Sequence, residues 1–188
     1  MFKMQVVRFN KQNVALICAL ASVLYFLLHA KTQRIEMEYE INEKAILVWE
    51  HVADFNNMKA LNPTILEFNI MDDKGNYKNW QYTVEYTENL TSFPSIKNKA
   101  VGHYTVRPDG SDFVIESTHK TCFFNAYCLS SASEFRFSMK GGTKTTCKET
   151  IDFQCPYLLT KICTSEAMHQ RAMIKNNLIK FFDNNPQI

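Results

Sequence analysis

Apolar and polar residues follow two different periods along this chain, and the changes between them order the predicted elements. From Ile35 to Ile41, apolar side chains occupy every second position, with glutamates between them. This period of two is typical of a half-buried strand. Helical spacing follows from Ala45 to Val52, after an Asn42 that is able to cap a helix, and a second short helical piece precedes Asn62-Pro63. The first part is therefore predicted as one strand and two short helices.

The period of two returns between Leu66 and Gln154, where it recurs in six segments separated by turn residues. The sequences Asp72–Asn76, Asp109-Gly110 and Gly141-Gly142 are each predicted to reverse the chain. Six consecutive strands joined by short turns are typical of an antiparallel meander.

The stretch from Pro156 to Asp183 is predicted as a long helix. Its apolar positions recur at helical spacing, interrupted only by Gln170: Leu159, Cys163, Ala167, Ile174, Leu178 and Phe182. The apolar face of a meander needs a cover, and this helix is the only long one that the sequence offers. We therefore predict that it lies across a curved antiparallel sheet, with an apolar cavity between them.

An apolar run without charged residues, Val14 to Ala30, follows a basic leader. Its length lies between that of a signal-peptide core and that of a spanning helix, so we expect an uncleaved signal-anchor or a cleaved signal peptide. Residues 1–30 are predicted as this leader and residues 31–188 as one domain, lumenal, extracellular or secreted in either case. If the leader is uncleaved, residues 14–30 are the predicted membrane contact.

Length and charge narrow the class of protein. The chain has 188 residues, of which 46% are hydrophobic and 13% aromatic, enough for one domain with a sizeable core. The net charge is +2, and setting aside Lys3, Arg8 and Lys11 leaves 18 basic against 19 acidic residues, or −1. A polyanion-binding surface is not indicated, and we expect no nucleic-acid partner.

Two further features fit the secretory route. Asn89-Leu90-Thr91 is a glycosylation sequon, which makes Asn89 a predicted glycosylation site. Five cysteines follow the apolar run, and in an oxidising compartment four of them are expected to pair. The disulfide candidates are Cys122 with Cys128 and Cys155 with Cys163.

A different pairing follows from a different register of the last hairpin. A two-residue turn at Gly141-Gly142 would place Cys128 opposite Cys155. The same register would put the apolar residues of the two strands on opposite faces, since a slip of one residue flips every side chain. A bulge or a three-residue turn restores a common apolar face and moves Cys128 away. The pairing is therefore left open.

Candidate chemistry is sparse. His119 precedes Cys122 by three residues, but no Cys-x-x-Cys pair exists, so we predict no metal site and no cofactor. No Gly-x-Ser-x-Gly elbow and no protease-like cysteine is present, so no nucleophile is predicted. The possible acid–base residues are expected to be solvated, because polar side chains are mostly exposed: Glu116, His103, His119 and His169. No catalytic residue is predicted.

Two groups of residues carry a resemblance to a known family. The first is Ile41-Asn42-Glu43-Lys44-Ala45 with Val48-Trp49, Val52-Ala53-Asp54-Phe55 and Asn62-Pro63; the second is the Gly141-Gly142-Thr143 turn before Cys155-Pro156. From about Ile35 to Phe182 the chain resembles the START-like superfamily, also called SRPBCC or the birch-pollen-allergen-like helix-grip fold. The resemblance implies an α+β fold in which a seven-stranded curved antiparallel sheet wraps on a long C-terminal helix, with two short helices after strand one.

The resemblance also implies a function, the binding and possible transfer of a hydrophobic small molecule or lipid in the cavity. Alternation along the strands supplies a matching wall of inward aromatics: Trp80, Tyr82, Tyr86, Tyr104, Phe113, Phe135 and Phe137. Gln170 and Met173, near the middle of the last helix, are where a polar end of the ligand is expected. The alternatives are a cavity enzyme of the cyclase or hydrolase type, and a closed structural or interaction domain.

Overall fold

A computed structural model describes residues 11–123 and 127–185; Lys3 and Arg8 of the basic leader lie outside them. Helix α1 spans Lys11–Leu28, strand β1 spans Ala30–Ile41, and helices α2 and α3 span Ala45–Ala53 and Phe55–Leu61. Six strands follow: β2 Ile65–Asn76, β3 Asn79–Asn89, β4 Lys97–Asp109, β5 Asp112–Phe123, β6 Tyr127–Lys140 and β7 Lys144–Pro156. A short 3-10 turn, Tyr157–Leu159, leads into helix α4, Thr160–Asn184.

The sheet is one antiparallel meander closed by its first strand. Its order is β1-β7-β6-β5-β4-β3-β2, so that β1 pairs with β7 and every other neighbour is consecutive in the chain. Helix α4 covers the concave face, and its second half is buried there through Ile174, Leu178 and Phe182. The predicted helix-grip architecture is confirmed.

The turn between β6 and β7 has three residues, 141–143, because Lys140 pairs with Lys144. In this register Phe135 lies opposite Glu149 and Phe137 lies opposite Cys147. Both phenylalanines therefore share the concave face with Ile151, as the hydrophobic pattern required.

Two disulfides are present, and the expectation of disulfide bonds is confirmed. Cys122 and Cys128 are cross-strand neighbours on β5 and β6 and are bonded, with their Cα atoms 4.0 Å apart. Cys155 at the end of β7 is bonded to Cys163 in the first turn of α4. Such bonds are typical of proteins in an oxidising compartment.

The predicted turn at Asp72–Asn76 is wrong. These residues continue β2, and the hairpin reverses at residues 77–78. The ladder continues because Trp80 Nε1 donates to Asp73 Oδ1 at 2.5 Å, and because Gly75 adopts φ +105°. A Cβ at that glycine would lie 2.1 Å from the Asn79 carbonyl oxygen, so the strand passes there only without a side chain.

Helix α1 lies at the start of the described chain, and its large apolar side chains between Val14 and Leu28 are exposed except Leu27, which is half-buried. Two other elements contact its end: the N–H of Tyr157, in the 3-10 turn before α4, donates to the His29 carbonyl at 3.2 Å, and the hydroxyl of Tyr127 on β6 donates to the Leu28 carbonyl at 3.0 Å. The membrane-spanning helix expected there is not found: within the described residues, no helix is long and apolar enough to cross a membrane.

Candidate functional site

A cavity of about 500 Å³ lies between the concave face of the sheet and the first half of α4, with α2 and α3 closing one end. A volume of this size matches ligand pockets in proteins. Most of its wall is apolar, and its apolar lining residues include Val52, Phe55, Met58, Ile65, Phe93, Ile115, Leu129, Phe135, Ile151, Phe153, Leu159, Ile162 and Ile174.

One ion pair crosses the cavity wall from sheet to helix. The guanidinium of Arg171 on α4 donates to Glu149 Oε1 on β7 at 3.0 Å, and the Glu149 side chain is 4% exposed. Burial raises the pKa of Glu149, an effect that Arg171 partly offsets. Burial alone would lower the pKa of Arg171, but Glu149 and neighbouring acidic groups raise it overall, so the guanidinium stays protonated.

A second carboxylate, Glu88, faces the cavity from the end of β3. Alternation places it on the concave side with Tyr86, and it lines the cavity wall. Burial raises its pKa to about 7, although the charge of Arg171 lowers it and that of Glu166 adds to the rise. Glu88 is therefore a carboxyl group that changes charge near neutral pH.

His119 on β5 is held between two hydroxyl groups at the base of the cavity. Its Nδ1 lies 3.0 Å from the Tyr86 hydroxyl and its Nε2 lies 2.8 Å from Ser117 Oγ, which is 2.9 Å from Ser133 Oγ. Burial, aided by the charge of Arg171, lowers the pKa of His119 to about 3. The imidazole is therefore neutral at physiological pH, with one ring nitrogen donating and the other accepting.

A glycine leaves room for this imidazole. A Cβ at Gly102 on β4 would lie 2.9 Å from His119 Nδ1 and 2.9 Å from Tyr104 Cε2. The Tyr104 ring in turn stacks on Tyr82, with centroids 4.7 Å apart. The ring of His119 thus occupies space that any other residue at position 102 would take.

Glu166 on α4 ties the loop of residues 90–96, between β3 and β4, to the helix. Its carboxylate accepts the Thr91 N–H at 2.6 Å and the Ser92 N–H at 3.1 Å, and also the Ser92 hydroxyl and the Gln170 amide. Burial works to raise the pKa of Glu166, but the hydrogen bonds from Thr91 and Ser92 outweigh it and lower the pKa. Leu90, Ser92 and Phe93 line the cavity, so this contact holds part of its wall.

The loop contact leads to a first prediction. Replacing Glu166 with glutamine removes the charge that holds two backbone N–H groups, so we expect the amide protons of Thr91 and Ser92 to exchange with solvent about tenfold faster, since hydrogen bonds to charged groups are stronger than neutral ones. Hydrogen exchange followed by NMR measures this. Asp183→Asn, a matched carboxyl-to-amide change at the other end of α4, should leave both amides unchanged. Equal exchange in the wild type and Glu166→Gln would contradict the assignment.

The structure separates the nine predicted ligand-binding residues into two groups. Four line the cavity: Tyr86, Tyr104, Phe135 and Gln170. Five do not: Trp80, Tyr82, Phe113, Phe137 and Met173. A binding role for the first four stays a prediction.

The position of helix α2 explains why only some of the inward-facing aromatic residues of the sheet line the cavity. It fills the far end of the concave face, where the Trp49 ring packs on Phe113 with centroids 4.8 Å apart and the Tyr82 hydroxyl donates to the Ala53 carbonyl at 2.8 Å. Phe137 is fully buried in the same core, and Trp80 packs against it. Strand alternation identifies the face of the sheet, but not which part of that face a helix occupies.

All four acid–base candidates were expected to be solvated, but His119 lies inside the cavity. The other three lie outside the cavity wall. Glu116 accepts from Arg107 at 2.9 Å on the convex face, His103 lies 3.0 Å from the Thr83 hydroxyl, and His169 is exposed. The general preference of polar groups for solvent fails at His119 because Gly102, Ser117 and Tyr86 supply space and partners.

The polar cavity residues that sequence reasoning missed include Glu88, Asn98, Glu149, Glu166 and Arg171. The signal was available, because Glu88 shares its alternation with Tyr86, Glu149 with Cys147 and Ile151, and Arg171 follows Ala167 by one helical turn. Reading the alternation through polar positions as well as apolar ones would have found them.

The sequon residue Asn89 is half-buried at the end of β3, and its glycosylation stays a prediction.

Comparison with known proteins identifies the fold. No protein-family model matches the sequence, and no curated protein matches it either. Among solved structures, the ZhuI aromatase/cyclase from Streptomyces sp. R1128 is similar at a TM-score of 0.64 and 13% identity, over 84% of this chain and 97% of that one.

Two further structures agree. Norcoclaurine synthase from Thalictrum flavum is similar at a TM-score of 0.58 and 12% identity, over 96% of this chain and 97% of that one. A START superfamily protein from Mycobacterium smegmatis is similar at a TM-score of 0.54 and 13% identity, over 79% and 98%. At these identities the likeness concerns the fold alone, and the chain has the START-like helix-grip fold.

Proposed function

We propose that this domain binds a hydrophobic small molecule in the cavity between the sheet and α4. The observation that carries the proposal is a cavity of about 500 Å³ whose wall is mostly apolar but holds a few polar groups on facing elements. Specific ligand sites combine an apolar body with a small number of placed polar groups in this way. An open cavity also argues against the alternative of a closed structural domain.

The disulfides support a proposal about where binding takes place. Both bonds hold the surroundings of the cavity, since Cys155–Cys163 joins β7 to the helix that covers it and Cys122–Cys128 joins the ends of β5 and β6. We place the domain in an extracellular or secretory compartment, where such bonds persist.

Native mass spectrometry of the domain tests the proposal directly. The protein is purified from eukaryotic secretory expression without detergent and sprayed intact. We expect a bound apolar molecule that is lost on denaturation. A protein that neither carries such a molecule nor takes up the neutral probe N-phenyl-1-naphthylamine would contradict the proposal.

Blocking the cavity gives a second prediction. Ala167 on α4 lines the cavity, whereas Ala172 on the same helix is exposed. Ala167→Trp places a large ring inside the cavity, so we expect it to weaken probe binding by about tenfold or more. An effect of this size corresponds to the loss of a modest apolar contact area between the probe and the cavity wall. Ala172→Trp adds the same ring outside and should bind the probe as the wild type does. Equal affinities of the two variants, measured by fluorescence titration, would show that the probe binds elsewhere.

Acid–base catalysis is a second candidate function, favoured by the placement of His119 and Glu88. Glu88, a carboxyl with a pKa of about 7, is suited to moving protons near neutral pH, and the neutral imidazole of His119, held by Tyr86 and Ser117, offers a hydrogen-bonding group in the same cavity. Two of the structurally similar proteins, an aromatase/cyclase and norcoclaurine synthase, are named as enzymes. A molecule that leaves the protein with a mass different from the one that entered would favour this candidate over simple binding.

A further inference from the structure

Unpaired polar atoms are concentrated at one end of the cavity, where β3 and β4 meet the loop of residues 90–96. Within the described part of the chain, three buried side-chain atoms lack a hydrogen-bond partner: Thr91 Oγ1 and both amide atoms of Asn98, Nδ2 and Oδ1. Buried polar groups in folded proteins are nearly always hydrogen-bonded, so unpaired ones point to a missing partner. Here all three lie within eight residues of one another.

Two of the residues at this end face the cavity side by side. Glu88 on β3 and Asn98 on β4 are cross-strand partners in the sheet register, and both line the cavity. Directly opposed residues on one face of an antiparallel pair bring their side chains together. Asn98 is 1% exposed, and no residue in the described ranges donates a hydrogen bond to the Glu88 carboxylate. The pair therefore offers acceptors, and one amide donor, that the protein itself leaves unused.

The charges around the cavity select the polar group that fits there. Among the described lining residues, three are carboxylates, Glu88, Glu149 and Glu166, and one is a cation, Arg171. Arg171 is bound to Glu149, and Glu166 is held by Thr91 and Ser92. Glu88 is left without a hydrogen-bonded partner. In this setting an anionic group is repelled, whereas a group that donates hydrogen bonds is attracted.

We propose that Glu88 and Asn98 form a subsite for the hydrogen-bond-donating end of the cavity ligand, an amine or an alcohol on an apolar body. This inference rests on the proposed function, because it concerns the same cavity. It narrows the ligand class: an apolar molecule that ends in a carboxylate is rejected. An amine donates to both Glu88 and Asn98 Oδ1, whereas a hydroxyl donates its one proton to Glu88 and accepts from Asn98 Nδ2.

Three probes with the same apolar body test the ranking: decylamine, 1-decanol and decanoate. Isothermal titration at pH 8 measures each against the wild type, Glu88→Gln and Glu85→Gln. Glu85 lies on the same strand but faces outward and is exposed, so its substitution is a matched control. We expect decylamine and 1-decanol to bind the wild type about tenfold more tightly than decanoate, because one hydrogen bond to a charged group contributes about that much to affinity. Glu88→Gln should remove most of the preference for the amine, and Glu85→Gln should keep it.

The outcomes separate the inference from the proposed function. Decanoate binding as tightly as the other two probes would overturn the subsite while leaving the apolar cavity function intact. A preference that survives in Glu88→Gln would overturn the assignment to this residue. If none of the three probes binds the wild type while N-phenyl-1-naphthylamine does, the subsite is overturned; if the naphthylamine does not bind either and no apolar molecule is carried, the proposed function itself fails. The wild-type ranking requires no variant, so it stands even if Glu88→Gln does not fold.

Discussion

Replacing Arg171 with methionine is expected to lower the free energy of unfolding at pH 8 by about 3 kcal/mol or more, because it leaves a buried carboxylate without its partner. Glu149 is 4% exposed and its ion pair is with Arg171, at 3.0 Å. The loss should shrink below about pH 5, since an unpaired buried carboxyl takes up a proton and loses its charge. Chemical denaturation at the two pH values measures both quantities.

Two further variants make this result specific. The double variant Arg171→Met/Glu149→Gln removes both charges, and we expect it to be more stable than the single variant because no buried charge remains. Arg34→Met is the matched surface control: Arg34 pairs with Glu36 at 3.1 Å and with Asp152 at 3.6 Å, and the three side chains are 59%, 53% and 43% exposed. Its loss should cost less than about 1 kcal/mol, as for most exposed pairs. A double variant as unstable as the single one would show that Glu149 is not the source of the loss.

The second large effect is a pH dependence that the wild type conceals. The pKa of Glu88 is raised on folding from 4.5 to about 7, so the stability that this group contributes is present below pH 4.5 and is lost as the pH rises to about 7. The pKa of His119 is lowered from 6.5 to about 3, so its contribution is present above pH 6.5 and is lost as the pH falls. The two groups have opposite effects on stability.

Between pH 4.5 and 6.5 the two effects cancel. The folded protein has Glu88 protonated and His119 neutral, and the unfolded chain has Glu88 ionised and His119 protonated, so both states bind one proton on this pair. Glu88→Gln removes the pH-dependent contribution of Glu88 to stability and leaves that of His119, so the two no longer cancel. We expect its stability relative to the wild type to rise by about 3 kcal/mol between pH 4 and pH 8, at about 1.4 kcal/mol for each pKa unit.

Denaturant unfolding of both proteins across this pH range measures the difference. Glu85→Gln, the outward-facing substitution on the same strand, should have the same pH dependence of stability as the wild type, because it leaves Glu88 and His119 unchanged. Parallel stability curves for Glu88→Gln and the wild type would show that Glu88 ionises with an ordinary pKa in the folded protein.

The fold was predictable from this sequence because local patterns repeat over whole elements. Alternation through β3, β5 and β7, and helical spacing in α4, indicate which residues face inward. Keeping those faces together required a bulge or a three-residue turn after β6, and the structure has the three-residue turn at residues 141–143. The turn at Asp72–Asn76 failed because its residues favour a reversal locally, whereas pairing with β3 and the bond from Trp80 to Asp73 extend the strand.

The candidate site was predictable only in part, and the reason is also physical. Tyr86, Tyr104, Phe135 and Gln170 were placed in the cavity by periodicity, while Tyr82 and Phe137 satisfy the same periodicity and belong to the solid core under α2. The difference lies in where a helix from another part of the chain rests on the sheet. Periodicity along one strand carries no information about that position.

The sequence alone predicts the order of the elements, the curved sheet with its long helix, and the presence of disulfide bonds, since each of these follows from short-range pattern and composition. The ion pair of Arg171 with Glu149, the hydroxyl groups around His119 and the unpaired Glu88 and Asn98 arise only when β3, β4, β5, β7 and α4 are brought together. A charged side chain is inexpensive to bury only beside its partner, and these partners lie far apart in the chain: Arg171 is 22 positions from Glu149, and Glu166 is 75 positions from Thr91. The chemistry of the cavity is thus a property of the tertiary structure.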